Sequence, residues 1–430
     1  MRTDIAPHLL QDPGVKVSEE ILRACVHCGF CNATCPTYLL TGNELEGPRG
    51  RIYLIKNILE KGFKPSRQTL EHIDNCLGCL ACETTCPSGV DYSRLLEEAR
   101  PRLDKLVKRP FSDRLLRAML TRLLPHSGRF RFALKMSVLG RAFSFLLPKN
   151  MKPLLAMAPK RLLQAATVAK PGVVPAEGER RLRVALLTGC AQQVLGPQIN
   201  DALVRLLTRL GAEVVIPKDM GCCGALTFHM GERKRSRKLM AHNIEVWHRE
   251  LEGEGLDAIV LNTSGCGTAV REYDYIFRHD PKLADKARVV TERVRDISEV
   301  VADLGLGEAQ EATGLKVAYH DACSLQHGQK VKDAPRQLLR AAGFEVVEVL
   351  EAHICCGSAG TYNMLNPALA QQLQARKAEH VEQVAPQVVA AGNIGCMEQI
   401  AGGTRVPVVH TVELLDWATG GPRPASVPRG

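Results

Sequence analysis

The sequence is poor in aromatic residues, which make up 4% of it, and has no run of about eighteen apolar residues able to span a bilayer. We therefore expect a soluble or peripheral protein. The first ten residues contain Asp4, Pro7 and His8 where a secretory signal would have its apolar segment, so we expect the thiols in a reducing cytosol. No G-x-G-x-x-G motif follows a predicted strand, which argues against a flavin or dinucleotide bound to this chain.

Positive charge is concentrated in one segment. The net charge of +10 arises because residues 101–170 carry sixteen Lys or Arg against two Asp, whereas the rest of the chain is acidic. A basic segment suggests nucleic acid or anionic lipid as a partner, but few aromatic side chains accompany these charges and no nucleic-acid-binding motif is present. We therefore expect no nucleic-acid partner. The length of 430 residues predicts two or three domains.

Cysteine, in contrast, is abundant, and eight of the sixteen form two copies of C-x2-C-x2-C-x3-C-P. The copies are Cys25, Cys28, Cys31 and Cys35 before Pro36, and Cys76, Cys79, Cys82 and Cys86 before Pro87. This spacing is typical of ferredoxins with two [4Fe-4S] clusters, in which the fourth cysteine of each run ligates the other cluster. We therefore predict one cluster on Cys25, Cys28, Cys31 and Cys86, and a second on Cys76, Cys79, Cys82 and Cys35. Structural zinc is less suited to this spacing, and disulfides do not suit a reducing compartment.

The region around the two cysteine runs has a helical pattern. Ile52, Ile55 and Leu59 recur at helical spacing after Gly47–Gly50, so residues 1–100 are predicted to form a helical ferredoxin domain. Residues 101–180 are predicted to be a basic helical connector. Prolines interrupt it at Pro110, Pro125, Pro148, Pro153 and Pro159.

One stretch of this connector is amphipathic. Its apolar residues are Leu115, Leu116, Met119 and Leu123, and arginines lie between them. Such a stripe suits either a membrane surface or packing against protein. We favour packing or partner contact, because the prolines prevent a long surface helix.

The remainder of the chain is duplicated. Cys190, Cys222 and Cys223 recur 133 positions later as Cys323, Cys355 and Cys356, and Cys266 recurs 130 positions later as Cys396. Each copy alternates predicted strands and helices, so we expect two α/β modules, at residues 181–310 and 311–430, packed against each other. Predicted strands at 257–261 and 387–391 place Cys266 and Cys396 at strand ends, where open α/β sheets carry their functional residues. The fold class is thus an α+β multidomain protein.

These eight later cysteines suggest a third iron-sulfur cluster or a zinc site. Adjacent cysteines reach one compact site only through a sharp turn, which Gly224 and Gly357 permit through a positive φ. Four thiolates suit zinc as well as a cubane, and burial as small apolar residues is the remaining alternative. The histidines near these thiols are candidate ligands, proton carriers or hydrogen-bond donors, with His320 and His353 preferred because they lie within three residues of a cysteine. They are His229, His320, His327 and His353.

The combined motifs closely resemble the iron-sulfur subunits of bacterial glycolate oxidase, within a wider group that includes subunits of heterodisulfide reductase and anaerobic glycerol-3-phosphate dehydrogenase. The likeness covers essentially the whole chain. It is carried by Gly47–Ile52 (GPRGRI), Asn262–Gly267 (NTSGCG), Tyr319–Cys323 (YHDAC), Gln326–Lys330 (QHGQK) and Gly392–Cys396 (GNIGC), of which the last three favour the glycolate oxidase branch. The wider group's module ends in Cys-x-x-Cys, whereas neither Cys266 nor Cys396 is followed by a second thiol.

The resemblance implies a function in electron transfer. Separate FAD-binding subunits would oxidise glycolate, and often D-lactate, while this chain would relay the electrons to a quinone or another membrane acceptor. It would then be cytoplasmic and peripherally associated with the inner membrane, and would have no substrate-contacting residue. The alternatives are an iron-sulfur subunit of a glycerol-3-phosphate or lactate dehydrogenase, or a heterodisulfide-reductase-like thiol/disulfide enzyme. The absence of the second cysteine of the Cys-x-x-Cys motif, which would be the fifth thiol of each module, argues against the heterodisulfide-reductase-like enzyme.

Overall fold

A computed structural model describes residues 1–60, 64–140, 164–167, 170–307, 309 and 314–427. A helical N-terminal part is followed by two α/β units, which confirms the predicted fold class. The connector prolines Pro148, Pro153 and Pro159 lie outside the described residues.

The N-terminal part is built from short helices around the cysteine loops. They are α1 (Pro13–Ala24), α2 (Pro36–Thr41), α3 (Pro48–Glu60), α4 (Arg67–Asp74), α5 (Ala81–Thr85) and α6 (Tyr92–Leu106), with 3-10 turns at Leu9–Gln11, Phe30–Asn32 and Glu44–Glu46. Helix α3 is the one that the spacing of Ile52, Ile55 and Leu59 predicts, and all three side chains are buried. They pack with side chains of α1, α4 and α6 into a core that adjoins several of the cysteines.

Two basic helices follow, α7 (Phe111–Leu123) and α8 (Ser127–Gly140). Leu116 and Leu120 of α7 pack with Met230 of the first α/β unit and with Met364 and Leu365 of the second. This face of α7 therefore packs on protein. Leu115, which belongs to the same predicted stripe, is instead 58% exposed.

The first α/β unit has a five-stranded sheet with strand order β1-β3-β2-β4-β5. Its strands are β1 (Gly172–Val174), β2 (Leu182–Leu186), β3 (Ala212–Ile216), β4 (Ala258–Leu261) and β5 (Val294–Asp296). Its helices are α9 (Gln192–Leu195), α10 (Pro197–Arg209), α11 (Ala225–His229), α12 (Arg233–Glu252), α13 (Ser264–Val270), α14 (Tyr273–Phe277), α15 (Ala284–Glu292) and α16 (Ile297–Leu304). All pairings are parallel except that β1 runs antiparallel along β3, with Val173 opposite Val215.

The second unit repeats the first unit's four parallel strands in the order β7-β6-β8-β9. Its strands are β6 (Lys316–His320), β7 (Glu345–Glu348), β8 (Val388–Ala391) and β9 (Val408–His410). Its helices are α17 (Ala334–Ala341), α18 (Tyr362–Leu365), α19 (Pro367–Gln383), α20 (Ile394–Ala401) and α21 (Thr411–Ala418), with a π-helical turn at Ser324–Gln329. The shared strand order matches the duplication predicted from the cysteines.

The two units share one apolar core. Helix α10 of the first unit packs against α21 of the second, and residues from both sheets contribute to the same buried cluster. Asp416 on α21 is almost completely buried and accepts charged hydrogen bonds from Arg205 and Arg209 on α10. Within the described ranges, no helix combines the length and the hydropathy needed to cross a membrane.

Candidate metal centres

The first cavity in the N-terminal part is lined by Cys25, Cys28, Cys31 and Cys86. Cys25 is buried, whereas Cys28 is exposed, so this cavity lies near the surface. The fourth cysteine of the second run has therefore been brought beside the first three of the other run. Four thiols around one cavity are the donor set that a [4Fe-4S] cluster needs.

The second cavity is lined by Cys35, Cys76, Cys79 and Cys82. Cys82 also lines the first cavity, so the two cavities are adjacent. The backbone N–H of Gly78 donates to Sγ of Cys76 at 3.4 Å, which is a contact of the kind that surrounds cluster ligands.

The two cysteine loops have the same backbone conformation. His27 and Gly29 have φ of 60° and 89°, and the equivalent Gly78 and Leu80 have φ of 63° and 65°. Left-handed conformations at His27 and Leu80 are unfavourable for residues with a Cβ, so each loop has one strained position where the other loop has glycine. Left-handed turns at matching positions thus lie in both loops, between the cysteines that line the cavities.

Buried thiols in the second cavity favour their neutral form. Burial raises the pKa of Cys79 and of Cys82, and neighbouring thiols raise both further. A bound metal reverses this preference because it takes the place of the thiol protons. Metal binding at these thiols would therefore release protons.

This second cavity extends from the N-terminal part to the first α/β unit, where Phe228, His229 and Thr268 line it. Burial, followed by the charge of Arg100, lowers the pKa of His229 to about 4, so its imidazole is neutral at pH 7. The structure places His229 beside the N-terminal cysteine cavity. Sequence reasoning had grouped it with the later cysteines.

In the first α/β unit, four thiols meet at the carboxyl ends of adjacent parallel strands. Sγ of Cys190 lies 3.4 Å from Sγ of Cys222, and Sγ of Cys223 lies 3.1 Å from Sγ of Cys266. The hydrogen bond between Cys190 and Cys222 lowers the pKa of Cys222 and raises that of Cys190. Gly224 has a φ of 79°, as expected for the turn that lets the adjacent cysteines face one site.

The second unit repeats this arrangement. Sγ of Cys323 lies 3.8 Å from Sγ of Cys355, and a ring nitrogen of His320 lies within 4.8 Å of the sulfurs of Cys356 and Cys396. Burial lowers the pKa of His320 to about 3, so its ring is neutral and available to a metal.

The loop geometry and the charge around this second group also suit a metal. Gly357 has a φ of 91°, matching Gly224 in the first unit. Burial lowers the pKa of Lys377 below its ordinary value, and nearby Cys356 and Cys355 oppose this shift. A positive charge beside the thiols favours their thiolate form.

The other two candidate histidines lie differently. Nδ1 of His327 is 2.9 Å from Oγ1 of Thr84 in the N-terminal part, and its Nε2 is 3.3 Å from the carbonyl oxygen of His353. His327 therefore links the N-terminal part to the second unit. The side chain of His353 is exposed, although it lies only two residues before Cys355.

Two residues near the second cavity escaped sequence reasoning. Arg51 is fully buried, and its Nη1 lies 3.9 Å from Sγ of Cys35. Tyr362 donates a hydrogen bond of 3.1 Å from its hydroxyl to the carbonyl oxygen of Asn75, next to Cys76. Arg51 lies in the Gly47–Ile52 motif, which was a usable signal, whereas no local pattern points to Tyr362.

Comparisons with known proteins give the family. A family model described as "4Fe-4S dicluster domain" matches residues 21–90, and one described as "Cysteine-rich domain" matches residues 184–271 and 317–401. The "Glycolate oxidase iron-sulfur subunit" of Escherichia coli (strain K12) is 40% identical over 97% of this chain and 99% of its own length. The chain belongs to the glycolate oxidase iron-sulfur subunit family.

Further relatives and one solved structure are also similar to this chain. The "Probable glycolate oxidase iron-sulfur subunit" of Bacillus subtilis (strain 168) is 32% identical over 94% of this chain and 96% of its own length. "Lactate utilization protein A" of the same organism is 28% identical over 55% of this chain and 99% of its own length. A crystal structure of a hypothetical protein from Helicobacter pylori superimposes with a TM-score of 0.55 at 11% identity, covering 96% of this chain and 73% of that one, and so shares the fold.

Membership of this glycolate oxidase iron-sulfur subunit family confirms the predicted cofactor type. The matched dicluster domain identifies the chain as an iron-sulfur protein with two [4Fe-4S] clusters, and the full-length relatives identify it as a component of an oxidoreductase complex. The matched cysteine-rich domains span the duplicated cysteines up to Cys266 and Cys396.

Proposed function

We propose that this chain relays electrons from FAD-binding partner subunits, which oxidise glycolate and D-lactate, toward a quinone or another membrane acceptor. The observation that carries the proposal is the pair of adjacent four-thiol cavities in a chain related over its whole length to glycolate oxidase iron-sulfur subunits. When bound, the clusters supply reversible one-electron transfer. No residue of this chain is assigned to contact glycolate.

The proposed ligands are those predicted from the cysteine spacing. Cys25, Cys28, Cys31 and Cys86 would hold the first cluster, and Cys76, Cys79, Cys82 and Cys35 the second. The support is that each set lines one cavity. The cysteines of the two modules, taken as residues 181–310 and 311–430, would hold further metal; they are Cys190, Cys222, Cys223, Cys266, Cys323, Cys355, Cys356 and Cys396.

The two cavities differ in exposure, and this suggests a direction for the relay. Cys28 is exposed, and the side chains of Val26, Phe30 and Tyr53 are each at least half exposed. The second cavity is instead enclosed by the first α/β unit through Phe228 and other residues. We assign the exposed first site to the flavoprotein partner and the enclosed second site to onward transfer.

The residues around the second site would tune it. Arg51 directs a guanidinium N–H at Sγ of Cys35, and Gly78 directs a backbone N–H at Sγ of Cys76. Hydrogen bonds to ligand sulfur stabilise the more reduced, more negative form of a cluster. Arg100 holds this loop, since its Nη2 donates to the carbonyl oxygen of Cys76 at 2.7 Å.

A contact with the cytoplasmic face of the inner membrane is part of the proposal. Phe111, Leu115 and Phe132 on α7 and α8 are each more than half exposed, and the exposed Arg114 and Arg122 lie on α7. Apolar side chains among basic ones suit the surface of an anionic bilayer. The same helices pack on protein through their other face.

The ligand assignment is tested on anaerobically purified full chain by counting iron and sulfide and by low-temperature paramagnetic resonance after dithionite. We expect about eight irons from these two sites. Cys86→Ser should perturb the cluster held by Cys25, Cys28 and Cys31, and Cys35→Ser the other. If Cys35→Ser altered the first cluster's signal instead, the crossed ligand sets would be wrong.

The electron relay is tested by mixing this chain with its FAD-binding partner subunits under argon and adding glycolate or D-lactate. We expect substrate-dependent bleaching of the iron-sulfur absorbance, followed by reoxidation when a quinone analogue is added. Glycerol 3-phosphate is the control substrate. Bleaching by glycerol 3-phosphate and not by glycolate would reject the proposed substrate and support the alternative dehydrogenase.

A further inference from the structure

The two α/β units differ at one position beside their cysteines. Three residues before the first cysteine of each unit stands Leu187 in the first and His320 in the second. Leu187 is buried in an apolar cluster that includes Cys222 and Cys223. His320 ends strand β6 and is 1% exposed. The duplicated fold therefore does not require a histidine here, and the second unit has an imidazole where the first has an aliphatic side chain.

The imidazole of His320 is buried, and one of its ring nitrogens lacks a hydrogen-bond partner among the described residues. Among the described residues, no group forms a hydrogen bond with its buried Nε2. Leaving such a nitrogen unsatisfied destabilises the fold, because burial removes its hydrogen bond to water without replacing it. A ring nitrogen of His320 and the sulfurs of Cys356 and Cys396 lie within 4.8 Å of one another, so one metal ion can contact all three residues.

The spacing of these donors indicates the kind of metal. Tetrahedral zinc, with Zn–S of about 2.3 Å, places two ligand sulfurs about 3.8 Å apart. The donor atoms of His320, Cys356 and Cys396 all lie within 4.8 Å of one another, a separation that a single ion can bridge. The cysteines of a cubane bind different irons and so lie farther apart than ligands of a single ion. The second unit therefore has the spacing and the mixed nitrogen and sulfur donors of a zinc site.

We propose that the second unit holds a single tetrahedral zinc ion, bound by His320, Cys356, Cys396 and one thiolate of the Cys323 and Cys355 pair. Three thiolates and one neutral imidazole around Zn²⁺ leave a net charge of −1. Lys377 is buried next to this group, and its Nζ donates to the carbonyl oxygen of Glu351 at 2.8 Å, so its ammonium balances that charge. The inference rests on the proposal that the module cysteines bind metal, and it assigns the second module a structural centre.

The test is the metal content of the full chain, purified anaerobically from cells supplied with iron and zinc. We expect His320→Leu, which installs the first unit's residue, to contain one zinc per chain less than the wild type. Its iron from the two N-terminal clusters and its paramagnetic signals should be unchanged. His353→Leu is the matched control, because it removes an exposed histidine beside the same cysteines and should retain the zinc.

X-ray absorption at the zinc edge gives a second measurement. The wild type should show one nitrogen and three sulfur ligands, and His320→Cys should keep the zinc with four sulfurs. If His320→Leu fails to fold, His320→Cys tests the proposal instead. Zinc retained in His320→Leu, an unchanged spectrum in His320→Cys, or iron in place of zinc in the second unit would each overturn the proposal. Loss of the N-terminal cluster signals in the wild type would instead reject the electron relay and leave the zinc assignment standing.

Discussion

Arg51 is one of the largest fully buried side chains in this protein, and each of its nitrogens faces a partner. Its Nε donates to the carbonyl oxygen of His72 at 2.7 Å, and its Nη2 donates to Glu46 Oε2 at 2.8 Å. Glu46 also lies 2.6 Å from Nδ1 of His72 through its other oxygen. Removing either partner of such a buried ion pair is destabilising, because the other partner then remains as an unpaired buried charge.

Replacement of Arg51 by Met should therefore lower the free energy of unfolding by about 3–5 kcal/mol, since Glu46 would remain buried without its cation. Anaerobic denaturant titration of the holoprotein measures this change. Arg67→Met is the control, because the Arg67–Glu71 pair is exposed and should contribute less than about 1 kcal/mol. Equal stabilities of the two variants would contradict the importance given to the buried network.

Gly357 is a second position at which the local structure requires a particular residue. Its φ of 91° is left-handed, and a Cβ there would lie 2.8 Å from the carbonyl oxygen of Ala370 and 2.9 Å from Cβ of Leu373. Gly360 has a φ of 70° and open space around it. A comparison of alanine substitutions at Gly357 and Gly360 therefore separates the effect of backbone strain from that of steric overlap.

Gly357→Ala should be less stable than Gly360→Ala by about 1–3 kcal/mol, because both variants gain left-handed strain but only the first overlaps with α19. Urea unfolding of both variants measures the difference, and metal analysis shows whether the second unit still binds its ion. If Gly360→Ala were the more destabilised, the overlap at Gly357 would have been accommodated by movement of α19.

At the scale of elements, helix α6 joins the N-terminal part to the first α/β unit. Arg94 forms an ion pair with Glu272 and stacks on the ring of Tyr275, with its guanidinium carbon 3.4 Å from the ring centre. One turn later, Arg233 of α12 donates to Glu98 at 2.8 Å. Arg100 then bridges the carbonyl oxygens of Cys76 and His229. One helix thus holds the second cysteine cavity against the first unit.

Glu97, on this helix, should make stability depend on pH. Burial raises its pKa to about 8, with Arg94 opposing the shift, and its side chain is 19% exposed. Because the folded pKa lies above the unfolded value, the protonated form stabilises the fold. This contribution is complete below pH 4.5 and is lost as the pH rises toward 8.

Glu97→Gln should remove this loss, so the variant's advantage in melting temperature over the wild type should grow between pH 5 and pH 9. Melting curves across this range provide the measurement. Glu98→Gln controls for the removal of a neighbouring carboxylate from the same helix. A constant difference at all pH values would show that Glu97 ionises in the folded protein as it does in the unfolded chain.

At the scale of the whole molecule, the N-terminal part also contacts the second unit. Besides Tyr362, Asn366 donates to the carbonyl oxygen of Asp74 at 3.3 Å, and Thr84 hydrogen-bonds with His327. The second cysteine cavity is consequently enclosed by both units, while the first remains at the surface. This asymmetry is the reason for assigning electron entry to the first site.

The exposed face of α7 and α8 predicts binding to vesicles that contain anionic phospholipid, and weaker binding at high salt. A triple variant, Phe111→Ser with Leu115→Ser and Phe132→Ser, should lower the partition coefficient by about tenfold or more, because the apolar contacts are lost. Vesicle co-sedimentation is the measurement.

The control for this experiment is Val173→Ser with Leu350→Ser, which removes exposed apolar side chains elsewhere on the protein. It should sediment like the wild type. Equal binding of both variants would assign any membrane contact to another surface.

The features that could be predicted from the sequence are those that depend on local patterns or on a repeat along the chain. The cysteine spacing predicted two clusters, because three ligands on one short loop are a local requirement, and the family comparison confirms the dicluster domain. The repeat of 133 residues predicted two α/β units, and their strands share one order. The stripe on α7 was predicted less well, since Leu116 packs on protein while Leu115 of the same stripe is exposed.

Spacing along the chain was thus enough to predict the cofactor type, the duplication and the helical character of the N-terminal part. The difference between His320 and His353, which both lie within three residues of a cysteine, became apparent only from the fold. One ends a central strand and is buried among thiols, whereas the other lies on an exposed loop. Burial depends on which segments pack together, and that is decided by contacts between residues far apart in the chain.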